Sequence, residues 1–331
     1  MALEIAECPR VAELSTRSSE DIERLAGRFA VAPPPLVVLC GRGSSGNAAL
    51  FLRYLIETRL RIPVSIAAPS VTSVSGARIG LREAWFVVVS QSGESPDLIA
   101  ATRAAREAGA LTIGLLNRPQ SALGEHVEVR LPLQAGDEFS VAATKSVLAA
   151  MALGARLVAQ CGSDNRLHAA LDRLPARTEQ AIACDWSFVA EDLCRASAVY
   201  TLGRGLGLAV AKEVGLKICE VLRRPALAYS AAEILHGPRA AISNRTPVLG
   251  FKVEDETAAS VGAAMQALRE GGATTFTCGA GGDLPWLAPD HPATDAIAML
   301  PAAWRLLEAL AWRLGHDPDR PPFLKKVTKT L

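Results

Sequence analysis

The strongest constraint on the fold is an alternation of short, uninterrupted apolar runs with helix-like stretches. The first run, Leu36-Val37-Val38-Leu39-Cys40, follows the stiff Pro33-Pro34-Pro35, and a helical stretch over 45–60 comes next. Strand-like runs then fall at 63–67, 85–90, 111–116 and 127–131, with a helix over 96–107. Strands that are apolar throughout, rather than at alternate residues, are covered on both faces. With intervening helices they form a parallel sheet. An Ala- and Leu-rich helix over 141–160 closes this half.

The plan then restarts. After a helical connector over 165–194, strands are expected at 198–202, 246–251, 274–278 and 296–300, with helices at 206–223, 258–270 and 302–314. Two short segments recur at a nearly constant distance. Gly41-Arg42-Gly43 returns as Gly203-Arg204-Gly205, 162 residues on. Arg106-Glu107-Ala108-Gly109-Ala110 returns as Arg269-Glu270-Gly271-Gly272-Ala273, 163 residues on. Such an offset points to a duplicated domain. The expected architecture is α/β, with two tandem domains, each a parallel sheet flanked by helices on both faces in a flavodoxin-like three-layer sandwich. The expected boundaries are an N-terminal helical segment at 1–34, a first domain at 35–164, the connector at 165–194, a second domain at 195–315 and a C-terminal tail at 316–331.

Half of the 331 residues are hydrophobic and 21% are charged, which supports a large core and excludes disorder. The 35 basic and 34 acidic residues leave a formal charge of +1, which argues against a nucleic-acid partner or an anionic membrane surface. No apolar run approaches the ~18 residues of a membrane span. The opening Met1-Ala2-Leu3-Glu4 lacks the plan of a secretory signal, so a cytosolic location is expected. The seven cysteines include no CxxC pair and the five histidines no HxxxH or HExxH, so neither a disulfide framework nor a metal site is expected.

Gly41-Arg42-Gly43-Ser44-Ser45-Gly46 satisfies the GxGxxG pattern after a strand and before a helix. A dinucleotide site also needs an acidic residue about twenty positions on, at the end of the second strand. That place reads Ile66-Ala67-Ala68-Pro69, which argues against NAD, and a Walker loop is excluded because no Gly-Lys-Ser/Thr follows. The second loop, Ser90-Gln91-Ser92-Gly93-Glu94-Ser95-Pro96-Asp97, is more informative. Ser95 is placed as an N-cap and Pro96 at the first helical position. Hydroxyls, an amide and backbone N–H groups converge at a helix N-terminus, which suits an anion. Without a nearby lysine, a monophosphate fits better than a nucleotide with magnesium. Taken alone, the loop also fits an ordinary Ser/Gly turn with a good cap.

Ser90-Gln91-Ser92-Gly93-Glu94-Ser95 resembles the phosphosugar signature of SIS (sugar isomerase) domains, and the resemblance extends over nearly the whole chain. It is similar to the isomerase half of glutamine:fructose-6-phosphate aminotransferases and, in its layout of two free-standing SIS domains, to SIS-type glucosamine-6-phosphate deaminases. The resemblance implies that Ser44, Ser45, Ser90, Gln91, Ser92 and Ser95 hold a sugar phosphate. Val141-Ala142-Ala143-Thr144-Lys145 resembles the family's Val-Ala-Ser-Thr-Lys; Val141 carries over as a sugar contact, while Ala143 replaces the serine and removes one hydroxyl.

Three places in the second half carry candidate chemistry. Lys217 and Glu220 lie three apart and share a helix face, an arrangement that is ordinarily a solvated ion pair. His236, in Glu233-Ile234-Leu235-His236-Gly237-Pro238, would ordinarily satisfy a helix end. Lys325 and Lys326, in Leu324-Lys325-Lys326-Val327-Thr328-Lys329, would ordinarily belong to a basic tail. Together they resemble the catalytic set of the aminotransferase. Leu216-Lys217-Ile218-Cys219-Glu220 matches its Leu-Lys-x-Lys-Glu with Cys219 in place of the second lysine, and Glu220 and His236 keep the family's sixteen-residue separation. Counting from Asp319-Arg320-Pro321 puts the family's Schiff-base lysine at Lys326, and counting back from Val327-Thr328 puts it at Lys325; the first count needs no gap.

These residue types suit an aldose–ketose conversion. A carboxylate, Glu220, can move a proton between adjacent carbons. A histidine, His236, can open the sugar ring. An amine, Lys326, can hold a ketose as an imine. Lys217 can stabilise developing negative charge on oxygen. No cofactor is required. Residue 2 is alanine, where the aminotransferase has its glutamine-attacking cysteine, and only about 35 residues precede the first strand. The expected reaction is therefore ammonia release, glucosamine 6-phosphate and water giving fructose 6-phosphate. Ammonia-dependent synthesis, another amino-sugar-phosphate isomerisation and a non-catalytic phosphosugar regulator remain alternatives. The resemblance further implies a homodimer in which His236 is supplied across the interface.

Overall fold

The computed structural model describes residues 1–326; residues 327–331, including Val327, Thr328 and Lys329 of the expected tail, lie outside the described residues. The chain divides into two compact units. The first comprises Val11–Glu138 and Lys145–Asp172, together with Lys325 and Lys326; the second comprises Met1–Arg10, Phe139–Thr144 and Arg173–Leu324.

The first unit holds five parallel strands: β1 (Val37–Cys40), β2 (Val64–Ile66), β3 (Trp85–Ser90), β4 (Leu111–Leu116) and β5 (Val129–Pro132), in the order β2-β1-β3-β4-β5. This is the flavodoxin-like order, whose direction reverses between β1 and β3. Every residue of β1, β3 and β4 is buried, as strands covered on both faces must be. Helices Gly43–Arg59 and Pro96–Glu107 follow β1 and β3, and helix Lys145–Cys161 packs against Gly43–Arg59. Lys145–Ala159 is buried all round, so that helix is central rather than amphipathic.

The second unit holds four parallel strands: β6 (Val199–Gly203), β7 (Ala226–Ser230), β8 (Val248–Phe251) and β9 (Thr275–Cys278), in the order β7-β6-β8-β9. The first four strands of the other sheet recur here in the same order. Helix Leu206–Lys217 follows β6 and continues into a π-helical turn, Ile218–Leu222, which ends at Arg223 in the left-handed conformation. Helix Ala258–Glu270 follows β8.

One expected strand is wrong. Residues 296–300 lie inside helix Pro292–Arg313, which starts with Pro292 at its first turn and His291 at the N-cap, Nδ1 accepting from the Ala293 amide at 3.2 Å. Ala296-Ile297-Ala298-Met299-Leu300 is buried on every side, so it shows no helical stripe, and Pro301 reads as a terminator although the helix continues through it. The helix expected from 141 begins at Lys145. Strand β7 was not anticipated: it is a partly exposed edge strand with no alternating pattern. Among the described residues, no helix is long and apolar enough to cross a membrane.

Candidate active site

In the first unit, two loops meet at the point where strand order reverses. Because β1 pairs directly with β3, the segments leaving their carboxyl ends are neighbours, the usual ligand position in an open α/β sheet. Ser44 and Ser45 lie in the first turn of helix Gly43–Arg59, where backbone N–H groups lack intrahelical partners. On the facing loop, Ser90 Oγ accepts from the Gly93 amide at 3.0 Å and Ser92 Oγ from the Glu94 amide at 3.3 Å. Gly93 is held at φ 69°, and a Cβ there would meet Ser121 Oγ at 1.9 Å, so this turn requires glycine. Ser95 occupies the N-cap of helix Pro96–Glu107, as expected, but its hydroxyl caps no amide. Gln91, Ser92 and Ser95 are partly exposed, whereas Ser90 is buried.

An ion pair fastens the loops together. Arg42 donates from Nε and Nη2 to Asp97 Oδ2, each at 2.8 Å, and Asp97 Oδ1 accepts from the Leu98 amide at 2.9 Å. The Asp97 carboxylate is wholly buried, while the guanidinium is half exposed and adds positive charge beside two helix N-termini. Neither residue was singled out from sequence; the signal was an arginine inside one glycine loop and an aspartate ending the other. Burial, with Asp97 adding to it against Arg42, pushes the neighbouring Cys40 thiol up to about 12, so no thiolate is available there. The cradle thus offers hydroxyls, backbone amides and a guanidinium, a donor set suited to a phosphate monoester.

Lys326 also belongs to the first unit. Its ammonium lies 2.9 Å from Glu138 Oε2, and Glu138 accepts from the amide and hydroxyl of Ser146. Glu138 gave no local signal in the sequence, since it sits in an irregular segment 188 residues from its lysine.

The second unit gathers a different set. Lys217 is fully buried, its Nζ 2.6 Å from Glu220 Oε2 and 3.1 Å from Glu213 Oε1. It is not a solvated surface pair. Burial alone would lower its pKa, but the two carboxylates outweigh burial and hold it above the ordinary lysine value. Glu213 is equally buried, whereas the Glu220 side chain keeps 18% of its exposure because the π-helical turn carries it to the surface. Such turns inside helices are common at functional sites. Glu213 was missed from sequence, although a glutamate four residues before Lys217 in an apolar helix was the clue. His236 ends a 3₁₀ turn, Glu233–His236, and is exposed, its ring making no hydrogen bond among the described residues. The Val141 amide donates to the Asp319 carbonyl at 3.1 Å.

These features place the chain in a class. The profile of the SIS domain matches residues 34–159 and 192–284, one match on each sheet, and the chain belongs to that family. A glutamine–fructose-6-phosphate aminotransferase (isomerizing) from Halobacterium salinarum is 28% identical over 97% of this chain and 55% of its own length. The chain thus spans about half the length of the curated relatives it matches. A crystal structure from Silicibacter pomeroyi, provisionally described as a phosphosugar isomerase, is 36% identical with a TM-score of 0.91, covering 96% of this chain and 98% of that one. Glucosamine-6-phosphate deaminase from Thermotoga maritima, 24% identical over 99% of both chains with a TM-score of 0.80, shares the fold.

Proposed function

We propose that the protein converts glucosamine 6-phosphate and water to fructose 6-phosphate and ammonia. The cradle of Ser44, Ser45, Ser90, Gln91, Ser92 and Ser95 holds the phosphate, and Val141 contacts the sugar. His236 moves the protons of ring opening. Glu220 takes the C2 proton of the open aldose and returns it to C1 while a proton passes from the amine to O1, leaving an imine at C2. Lys326 displaces ammonia from that carbon, and water then releases the ketose and the free lysine. Lys217, paired with Glu213 and Glu220, orients the Glu220 carboxylate. The active form is a homodimer in which each chain supplies His236 to its partner.

The observation that carries this reading is the Glu220 carboxylate, partly exposed on a π-helical turn and fixed at 2.6 Å by a buried lysine. A base for 1,2-proton transfer must reach substrate while keeping one orientation, and this arrangement gives both. The 36% identity to the Silicibacter pomeroyi protein supports a phosphosugar as the substrate class. The test is incubation with glucosamine 6-phosphate while measuring ammonia and fructose 6-phosphate, which should appear in equal amounts. A new aldose or ketose without ammonia would indicate simple isomerisation. Binding with no turnover would indicate a sensor.

A further inference from the structure

The amine that the proposed reaction uses is not isolated. Lys326 Nζ lies 2.9 Å from a Glu138 carboxylate whose side chain is wholly buried. Glu138 Oε1 accepts from the Ser146 amide at 3.1 Å and Oε2 from the Ser146 hydroxyl at 2.8 Å. Ser146 stands in the first turn of helix Lys145–Cys161, so the carboxylate rests on a helix N-terminus while facing the lysine.

We propose that Glu138 is the proton-exchange partner of Lys326, taking its proton so that the amine can attack and returning it when water leaves. The inference rests on the reading of Lys326 as the imine-forming residue. An ammonium has no lone pair for attack on a carbonyl. When substrate covers the pair and excludes water, two charges at this distance become less favourable relative to a neutral amine and a carboxylic acid. The proton then passes from Nζ to Glu138. The amine adds to C2 of the ketose, forming the N–C bond as its second proton moves to the carbonyl oxygen. The carboxylic acid protonates the resulting hydroxyl, the C–O bond breaks and water departs. The sum is an ammonium and a ketone giving an iminium and water, with Glu138 again a carboxylate beside the new cation. Its two bonds from Ser146 hold it in place throughout.

The experiment is reductive trapping of fructose 6-phosphate on the full chain with cyanoborohydride, followed by peptide mapping. The wild type is expected to carry one hexitol phosphate on Lys326. Glu138→Gln should form that adduct at least about ten-fold more slowly near neutral pH, at a rate that climbs with pH because only solvent removes the proton. Glu138→Asp should recover part of the rate. An unchanged rate and pH profile in Glu138→Gln overturns the inference while leaving Lys326 as the imine residue. Trapping at another lysine, or none during turnover, overturns the reading of Lys326 and the inference with it. Should Glu138→Gln fail to fold, Ser146→Ala decides. Losing one donor to the carboxylate should move the acid limb of the trapping profile upward by about half a pH unit or more, and no movement counts against the inference.

Discussion

The two units build the same sheet order and the same Gly-Arg-Gly turn after their first central strand, yet they place polar groups at opposite ends of the helix that follows. In the first, Ser44 and Ser45 stand at the N-terminus of helix Gly43–Arg59, beside the segment that leaves β3. In the second, Glu213, Lys217 and Glu220 gather toward the C-terminal end of helix Leu206–Lys217. The place equivalent to the Ser90–Ser95 loop reads Lys252-Val253-Glu254-Asp255-Glu256, with Val253 buried and Asp255 Oδ1 accepting from the amide and hydroxyl of Thr257. The backbones also approach closely there: a Cβ on Gly207 would lie 2.5 Å from the Phe251 carbonyl oxygen. Three acidic residues in a row repel a phosphate rather than attract it. The set of donors offered at this position thus depends on loop composition rather than on the fold. In the proposed reaction one copy serves the phosphate and the other the proton chemistry.

The division of labour breaks most visibly at Glu220. Glu220→Gln should lower kcat by about 10²–10⁴-fold and abolish exchange of the C2 proton with solvent, with sugar-phosphate binding retained. Proton exchange followed by NMR in deuterated buffer decides; near-normal exchange in a folded variant would remove Glu220 from proton transfer.

Stability should separate the units as well. Lys217→Met leaves Glu213 buried without its cation and should destabilise by about 3–5 kcal/mol. Arg42→Met also takes a cation from a buried carboxylate, but that cation is half exposed and Asp97 keeps the Leu98 amide, so the loss should be smaller, about 1–3 kcal/mol. The pH dependence has a definite sign. Because the folded-state pKa of Lys217 is raised, its contribution is complete below the ordinary lysine value and disappears only as pH rises through the raised one. Urea midpoints should therefore show the same Lys217→Met deficit from about pH 6 to 9. A deficit that shrinks within that range would show that Lys217 is not held as the cation of this cluster.

What the sequence revealed follows the same physics. Strands β3 and β4 and helices Pro96–Glu107 and Ala258–Glu270 fall where the apolar runs predict, because continuous burial and flanking Ser, Gly or Pro mark both ends. The edge strand β7 lacks that burial, and residues 296–300 have it without being a strand. Of the site, the serine loops and the Lys217–Glu220 spacing were legible because their geometry is local. The contacts of Arg42 with Asp97 and of Lys326 with Glu138 depend on folding and leave no spacing to read.

The cradle itself can be tested against its counterpart. Ser92→Ala and Ser95→Ala should each raise KM for the sugar phosphate by about ten-fold, the loss of one hydrogen bond to a charged group, with kcat nearly unchanged. Ser260→Ala follows β8 in the second unit, where the hydroxyl donates to the Thr257 carbonyl, and should leave KM unaltered. Equal losses on unphosphorylated glucosamine would show that the first loop is only a turn.

The smallest expected effect, a factor of about two, bears on where His236 acts. Its ring is exposed, has no hydrogen-bond partner among the described residues and follows Leu235, a large apolar side chain that is 43% exposed. An unpartnered ring beside exposed apolar surface suits a residue that completes a site on another copy of the chain. Glu220→Gln and His236→Ala homodimers should both be inactive. If His236 serves the partner's site, a mixed dimer has one site with both defects and one with neither, so about half of its sites recover. If His236 serves its own chain, every site in the mixed dimer keeps one defect and none recovers. The outcomes differ in kind, so even weak activity is decisive once subunit exchange is verified by native mass spectrometry. Verified mixed dimers without activity would place His236 and Glu220 in the same chain's site and end the shared-site proposal.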